Sequence, residues 1–203
     1  MTIWRGPTPL ILASQSVARK MLLASAGIEF EAVPADIDER AIRQASRVSA
    51  ADEVAGLLAR EKALAVACQR SGHIVVGADQ TLALGDRLFS KPDGRAQAAE
   101  QLRALAGLTH ELHSAVAVAR DSKLMFEHVA VARLTMRHLS EAEITTYLDE
   151  AGETVVTASV GAYQLERFGV HLFERIEGDH FTILGLPLLP LLGFLRGQHL
   201  LAI

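Results

Sequence analysis

A carboxylate and a lysine flank a short turn in the middle of the chain. Asp79 directly follows the apolar run Ile74–Ala78, and Lys91 comes after the turn Gly85–Arg87 and before Pro92. An apolar run of this length between turn signals predicts a strand buried on both faces, here ending on the carboxylate. Sheets of this kind place ligands at the carboxyl ends of their strands, so Asp79 is a candidate functional residue. An Asp in this position is, however, more commonly a cap or a turn residue.

A second group of candidates lies near the start of the chain. Ser14 and Ser16 follow the apolar run Leu10–Ala13 and precede a helical pattern whose first turn contains Arg19 and Lys20. Cations at a helix N-terminus oppose the macrodipole. The conflict disappears when an anion is bound there by free backbone N–H groups, the hydroxyls and Arg19. The pattern favours a phosphate site and an ordinary capped helix with a solvated Arg–Lys pair about equally.

Two further charged features have both a functional and a structural interpretation. Asp36, Asp38 and Glu39 form a predicted acidic loop, which is either a solvated turn or a source of ligands for a hard divalent cation. Lys62 lies on a predicted helix that is apolar nearly all round, so its charge needs a partner. Taken alone, Lys62 is interpreted as a salt-bridged structural lysine.

Together, three cations and several carboxylates suggest a polyphosphate site that uses a divalent metal. Phosphoryl transfer depends on positioning and charge neutralisation, and Lys and Arg side chains hold phosphate oxygens. A metal bridges phosphates and activates water, and a carboxylate beside that water acts as general base. The sequence contains no GxGxxG, Walker-type, GxSxG or HExxH motif, so serine-based acyl chemistry is not expected.

The elements that must position these residues alternate between strands and helices. The predicted strands are Leu10–Ala13, Glu29–Val33, the run ending at Asp79, a hairpin of His110–Arg120 with Lys123–Met136, and Val155–Ala158. The predicted helices are Val17–Ser25, a helix opened by a capping box at Ser49 and Asp52 and ending near Gln69, Gly94–Ala106, a helix capped by Ser140 and Glu143, and an apolar C-terminal helix.

Composition limits the class of protein. At 203 residues, half of them apolar, the chain forms one large domain or two lobes that share a sheet. A net charge of -4 argues against a nucleic-acid polymer as partner. The single cysteine, Cys68, excludes an intramolecular disulfide and suits a reducing cytoplasm. No apolar run is long enough for a membrane helix, and the start does not have the pattern of a signal peptide, so neither a membrane nor secretion is expected.

The sequence resembles the Maf proteins, which are nucleoside triphosphate pyrophosphatases once called septum formation inhibitors. The resemblance lies in six segments that occur in the same order along the chain. The segments are Leu10–Ser16 with Arg19 and Leu22–Leu23, Asp38–Glu39, Glu61–Ala63, Val76–Gln80, Lys91–Pro92 and Gly185–Leu188. The resemblance implies a single Maf-like domain over residues 1–203, with the α/β fold shared with inosine triphosphatase. That fold has an elongated mixed β-sheet flanked by helices and two lobes with a central cleft.

The resemblance also implies a reaction. A nucleoside triphosphate would be hydrolysed between its α- and β-phosphates to the monophosphate and pyrophosphate, with a divalent metal cation, Mg²⁺ or Mn²⁺, and the enzyme is often a homodimer. Asp79 matches the general base. The positions that match phosphate contacts are Ser14, Arg19, Lys62 and Lys91. Glu39 matches a carboxylate near the metal or the attacking water, and the base-choosing positions fall at Ala18, Gln80 and Glu166.

The base-choosing residues are most similar to the subgroup that hydrolyses 7-methyl-GTP. Family members that prefer dTTP and UTP usually have Asp-Thr at the catalytic strand and a Gln in the tail, whereas this chain has Asp79-Gln80, Glu166 and the segment Leu172–Arg175. One departure concerns Ala18, which stands where the family has an Arg or a Trp. The loss of an aromatic there removes a stacking surface worth about 1–2 kcal/mol to a methylated, cationic purine.

Two alternatives to a 7-methyl-GTP pyrophosphatase stay open. The first is the same enzyme with a preference for dTTP or UTP. The second is a non-catalytic, nucleotide-binding regulator of cell division, which would keep the phosphate site without turnover. Retention of Asp79 together with the cations Arg19, Lys62 and Lys91 argues against the second.

Overall fold

The computed structural model describes residues 3–203, which form one seven-stranded mixed sheet flanked by helices. The strands are β1 (Leu10–Ala13), β2 (Phe30–Ala32), β3 (Val75–Leu84), β4 (Arg87–Phe89), β5 (Thr109–Arg120), β6 (Lys123–Met136) and β7 (Phe173–Glu177). The α-helices are α1 (Val17–Ser25), α2 (Glu39–Ser46), α3 (Ala51–Ala67), α4 (Arg95–Leu105), α5 (Glu141–Ala151), α6 (Glu153–Ala158), α7 (His180–Ile183) and α8 (Leu188–Gly197). Two 3-10 helices lie at Val160–Ala162 and Phe168–Leu172. Within residues 3–203 no helix has the length and apolar character needed to cross a membrane.

The sheet is parallel in one part and antiparallel in another. The strand order is β2-β1-β3-β5-β6-β7, and β4 pairs with β3 outside that path. β1 runs parallel to both β2 and β3, with Ala13 opposite Gly77, whereas β3 and β4 are antiparallel, with Leu82 opposite Phe89. The predicted α/β class with a mixed sheet is therefore confirmed.

The chain divides into two compact units. The first contains the chain up to Gln80 together with Ser114–Ala130 and His180–Ile203, and the second contains Thr81–His113 and Val131–Asp179. The strands β3, β5 and β6 contribute residues to both units. Two lobes were expected from the resemblance, while a central cleft and a single Maf-like domain stay predictions.

The first unit packs helices against both faces of its sheet, because successive side chains of a strand point to opposite faces. The α1–α8 face joins strand residues to helix residues in one cluster: Leu10, Leu12, Val76, Ala78, Val116 and Val118 with Leu22, Leu23, Leu191 and Leu195. The α3 face forms a second cluster: Ile11, Ala13, Val75, Ala115, Ala117 and Ala119 with Ala55, Ala59, Ala63 and Val66. Full burial of one Leu side chain contributes about 1.5–3 kcal/mol, so the two clusters hold α1, α3 and α8 firmly on the strands.

β3 does not end at Asp79, as the sequence predicted. Its pairing with β1 extends to Gly77, its pairing with β4 begins at Leu82, and the strand runs through to Leu84. The prediction was wrong because β3 continues as a strand with a new neighbour. Asp79 nevertheless lies just beyond the level at which β1 ends, which is where the loop after β1 begins.

Three other local predictions were also wrong. Glu39 is not in a loop but begins α2, and Asp38 caps that helix by accepting a hydrogen bond of 2.9 Å from the N–H of Ala41. α3 starts after Ala50 without a side-chain cap, so the capping box predicted at residues 49–52 is absent. Residues 155–158 are helical rather than extended, because β-branched side chains give only a weak, context-dependent strand preference.

Candidate active site

Lys62 lies between two carboxylates in the first unit. Its Nζ donates to Oδ1 of Asp79 at 2.5 Å and lies 2.8 Å from Oε1 of Glu39. The side chains of Lys62 and Asp79 are each 12% exposed, and that of Glu39 is 50% exposed. A charge on a buried helix needs a partner, and Lys62 has two. Asp79 and Lys62 therefore form a shielded ion pair with a carboxylate at its solvent side.

Strand alternation explains why Asp79 and Lys62 meet. Asp79 lies four residues beyond Val75, so its side chain projects from the α3 face. α3 approaches β3 very closely there, since a Cβ added to Gly77 would collide with the carbonyl oxygen of Ala59. Lys62 follows Ala59 by three residues and shares its side of the helix. Because Gly77 has no side chain, α3 lies close enough to β3 for the ammonium of Lys62 to contact the carboxylate of Asp79.

Burial raises the pKa of Asp79 above the usual range of an aspartate, and this is the largest influence on it. The cations of Lys62 and Arg19 lower the pKa, and the charge of Glu39 raises it further. The net direction is upward because the carboxylate has lost most of its solvent. A carboxylate with a raised pKa accepts a proton more readily, which is the property a general base needs near neutral pH.

Arg19 ties together three segments of the first unit. Its Nε donates to the carbonyl oxygen of Gly185 at 2.7 Å, and its Nη1 donates to Ala78 O at 2.9 Å and to Ser14 Oγ at 3.2 Å. A guanidinium has five N–H donors and stays charged in proteins, so donors remain for an anion. Gly185 has a φ of +88°, a backbone conformation that favours glycine, and a Cβ there would meet Arg19 at 3.4 Å.

Ser14 and Ser16 fix the turn between β1 and α1. The Oγ of buried Ser14 accepts from the N–H of Ser16 at 3.2 Å as well as from Arg19, and Ser16 caps α1 by accepting from the N–H of Arg19 at 3.4 Å. The structure therefore brings Ser14 and Arg19 together at the start of a helix, as the sequence pattern suggested. Their contacts with phosphate stay predictions.

Gln80 projects from the α1–α8 face, opposite to Asp79. Its Nε2 donates to Ser114 Oγ at 2.9 Å, to Ile183 O at 3.0 Å and to Thr182 O at 3.2 Å. The sequence did not single out Ser114. The signal that could have found it is a hydroxyl at the head of the apolar run 115–119 in a buried strand. Ala18, another base-choosing candidate, is half-buried on α1 and packs against the α1–α8 cluster.

Lys91 and Glu166 belong to the second unit, so their relation to Asp79 stays a prediction. Lys91 is exposed between β4 and α4. Glu166 is exposed in the segment before the 3-10 helix Phe168–Leu172, where it lines an open groove of about 480 Å³ with Tyr147, Phe168 and His171.

Glu39, the metal-ligand candidate of the sequence, lies at the solvent side of the ion pair. It offers a half-exposed carboxylate, and Mg²⁺ and Mn²⁺ prefer oxygen ligands of this kind. Among the described residues, no group of three or more His, Cys, Asp or Glu side chains could hold a metal by itself. Mg²⁺ is commonly bound by one or two carboxylates together with substrate phosphates and water. The donors present therefore fit a metal that binds with a phosphorylated ligand.

Taken together, the first unit has a hydroxyl and a guanidinium at the start of α1, and a carboxylate of raised pKa in the residue after Ala78, whose carbonyl accepts from Arg19. Such an arrangement suits the hydrolysis of phosphate compounds. The family model for Maf-like proteins matches residues 9–198. The chain belongs to the Maf family, which confirms the resemblance found in the sequence.

Known relatives cover the whole chain. A protein of Bradyrhizobium diazoefficiens named nucleoside triphosphate pyrophosphatase is 68% identical over 100% of both chains. A protein of Rhizobium etli named 7-methyl-GTP pyrophosphatase is 54% identical over 92% of this chain and 94% of its own. Among solved structures, a HAM1 protein from Coxiella burnetii covers 63% of this chain and 72% of its own, with 19% identity and a TM-score of 0.40. That last likeness is too weak to support an argument.

Proposed function

We propose that this chain hydrolyses the bond between the α- and β-phosphates of a nucleoside triphosphate, releasing a monophosphate and pyrophosphate. The broader activity, nucleoside triphosphate pyrophosphatase, follows from its family and from a relative of that name with 68% identity over both whole chains. The observation that carries the mechanism is the shielded Asp79–Lys62 pair, in which a buried carboxylate of raised pKa contacts a cation.

In the proposed mechanism, Asp79 removes a proton from the attacking water. The water oxygen forms a bond to a phosphorus of the α–β anhydride, the bridging P–O bond breaks, and the leaving phosphate takes the electron pair. The proton passes to a carboxylate oxygen of Asp79. Burial supports this role because it makes the carboxylate more basic than a solvated aspartate.

The cations orient and neutralise the triphosphate. Lys62 is already held against Asp79, so an oxygen of the substrate that binds its ammonium would be brought beside the base. Ser14 and Arg19 would hold a second phosphate at the start of α1, and Lys91 is proposed as a further contact. Mg²⁺ or Mn²⁺, when bound at Glu39, would supply additional neutralisation of the phosphate charge.

The proposed substrate is 7-methyl-GTP. Support comes from Gln80 and Glu166, which match the subgroup of that specificity, and from the Rhizobium etli relative named 7-methyl-GTP pyrophosphatase. Ala18 weakens the choice of 7-methyl-GTP, because it offers no aromatic surface to a cationic purine, and it also lacks the Arg of other family members, so a preference for dTTP or UTP stays the alternative. We further propose a cytoplasmic homodimer that uses neither a membrane nor a nucleic-acid polymer.

A pyrophosphate-release assay with dTTP, UTP, CTP and 7-methyl-GTP, each with Mg²⁺ and with Mn²⁺, tests the proposal. We expect release from several triphosphates and the highest kcat/KM for 7-methyl-GTP. A marked preference for dTTP over 7-methyl-GTP would refute the proposed base choice. A well-folded protein without activity on every triphosphate would refute the enzyme and favour a nucleotide-binding regulator.

A further inference from the structure

The helix α2 carries three arginines beside the Asp79–Lys62 pair. Its first residue, Glu39, is the carboxylate that lies 2.8 Å from the ammonium of Lys62. The three arginines are exposed, and they are Arg40, Arg43 and, at the C-cap, Arg47. In the part of the chain that the structure describes, none of their guanidinium groups forms an ion pair or a hydrogen bond. In a chain of net charge -4, α2 is therefore a local source of positive charge next to Lys62.

Arg43 shares a face of α2 with Glu39. It follows Glu39 by four residues, and side chains with this spacing lie on one side of a helix, about 6 Å apart along its axis. Because the carboxylate of Glu39 contacts Lys62, this side of α2 is turned toward the candidate active site. Arg43 therefore lies one turn beyond Glu39, at the solvent side of the Asp79–Lys62 pair.

A purely structural role would pair Arg43 with Glu39. A Glu placed four residues before a basic residue stabilises a helix through an ion pair. In the structure Glu39 instead contacts Lys62, and among the described residues Arg43 has no ion-pair partner. α2 contains no buried residue, so burial does not account for Arg43 either. The N–H donors of its guanidinium are thus free to bind an anion.

Lys62 indicates where such an anion would lie. Its ammonium has three N–H donors, and the contacts with Asp79 and Glu39 use two of them. The third donor is available to a phosphate oxygen of the substrate. A phosphate bound there lies beside the face of α2 that carries Glu39 and Arg43. An arginine suits this position because its guanidinium can donate two parallel hydrogen bonds to a phosphate.

We infer that Arg43 binds a phosphate group of the substrate at the solvent side of the Asp79–Lys62 pair. The inference rests on the proposed function and adds a binding residue to its site. Because Arg43 is exposed while Asp79 is buried, the contact is with a phosphate other than the one attacked. Such a contact is equally strong before and during the reaction, so it lowers KM and leaves kcat unchanged.

Binding of inorganic tripolyphosphate in the presence of Mg²⁺, measured by titration calorimetry, tests the contact without a nucleotide. We expect Arg43→Gln to raise the Kd about tenfold, the effect of one charge-assisted contact. Arg43→Lys keeps the charge but loses the planar fork, and it should raise the Kd about threefold. Arg196→Gln is the control, because Arg196 is an exposed arginine of α8, which packs on the other face of the sheet from α3. Its Kd should equal that of the wild-type protein.

Steady-state kinetics of pyrophosphate release distinguish a binding residue from one that supports the fold. For the best triphosphate substrate, we expect Arg43→Gln to raise KM about tenfold with kcat unchanged, whereas Arg196→Gln should change neither. A lower kcat with an unchanged KM in Arg43→Gln would overturn the assignment of Arg43 as a phosphate contact.

The outcomes separate this inference from the proposed function. An active Arg43→Gln protein with the wild-type Kd and KM overturns the inference alone. Equal losses of binding in Arg43→Gln and Arg196→Gln also overturn it, because the effect then follows net charge rather than position. A wild-type protein that binds tripolyphosphate through Arg43 but releases no pyrophosphate from any triphosphate overturns the proposed function instead.

Discussion

Asp79 and Lys62 depend on each other because each charge is buried. Both side chains are 12% exposed, and removal of one partner of such a pair commonly costs about 3–5 kcal/mol, since the other charge is left without compensation. Substitutions that keep size and hydrogen bonding are therefore better probes of chemistry than truncations. An amide in place of the carboxylate of Asp79 still accepts from Lys62, which also retains Glu39 as a partner.

Glu39 provides a separate test of metal binding. We expect Glu39→Gln to raise the concentration of Mg²⁺ or Mn²⁺ needed for half-maximal activity by about tenfold, because an amide oxygen replaces a charged ligand. Asp86→Asn is the control, since Asp86 is an exposed carboxylate in the turn between β3 and β4 and should leave the metal requirement unchanged. A titration of metal at fixed substrate measures both. Equal requirements in Glu39→Gln and wild type would exclude Glu39 as the metal ligand.

At the scale of elements, the contact between α3 and β3 determines the geometry of the site. Gly77 lets the helix approach the strand, and the alternation of β3 then places Asp79 on one face and Gln80 on the other. Asp79, the proposed general base, and Gln80, the proposed base-choosing residue, are therefore adjacent in sequence but lie on opposite faces of β3. The segment from the loop after β1 into α1 supplies Ser14 and Arg19, which are hydrogen-bonded to each other. The segment 182–185 supplies backbone carbonyls that accept hydrogen bonds from Gln80.

The sequence predicted elements with strong local patterns and missed those without them. The capping box of Ser140 and Glu143 at the start of α5 was predicted correctly, because its two partners are three residues apart in the chain. α2 was missed because it is short and polar, and Ile42 is the one large apolar residue in it, so the acidic stretch at its start was interpreted as a loop. The contacts of Gln80 depend on partners 34 to 103 residues away, which no local pattern contains.

We expect Gly77→Ala to weaken both the fold and the site. The added Cβ would collide with the backbone oxygen of Ala59, and overpacking of this kind costs about 1–3 kcal/mol. It should also move Lys62 away from Asp79 and lower kcat. Gly193→Ala is the control, because a Cβ there meets nothing within 4 Å. Urea unfolding and turnover measure the two effects, and an unchanged stability in Gly77→Ala would contradict the close approach of α3.

At the scale of the whole molecule, the two units have different polar interiors. The first contains the Asp79–Lys62 pair, and the second contains His110, which is fully buried and hydrogen-bonded through Nε2 to the hydroxyl of Tyr163 at 2.7 Å. The sequence analysis treated all histidines as ordinary, and His110 fits a structural role. Only the family resemblance assigned Lys91 and Glu166 of the second unit to the same site as Asp79 of the first. Spacing in the chain does not predict which distant segments meet.

His110 makes stability depend on pH. Burial lowers its pKa from 6.5 to about 4, so the neutral ring is the form that the fold favours. The stability it supports is present above pH 6.5 and is lost as the pH falls from about 6.5 to about 4, by about 3 kcal/mol. We expect His110→Gln, which cannot protonate, to lose less stability over this range. Urea unfolding at pH 7 and pH 4.5 measures the difference, and equal losses in both proteins would contradict the account.

The central claim is that the buried carboxylate of Asp79 is the general base of a nucleoside triphosphate pyrophosphatase. The most direct measurement is the kcat of pyrophosphate release by Asp79→Asn, with Asp86→Asn, a change in the exposed turn between β3 and β4, as control. We predict that Asp79→Asn lowers kcat by about 10²–10⁴-fold while the protein stays folded, and that the control retains wild-type activity. A folded Asp79→Asn protein with a wild-type kcat would contradict the claim.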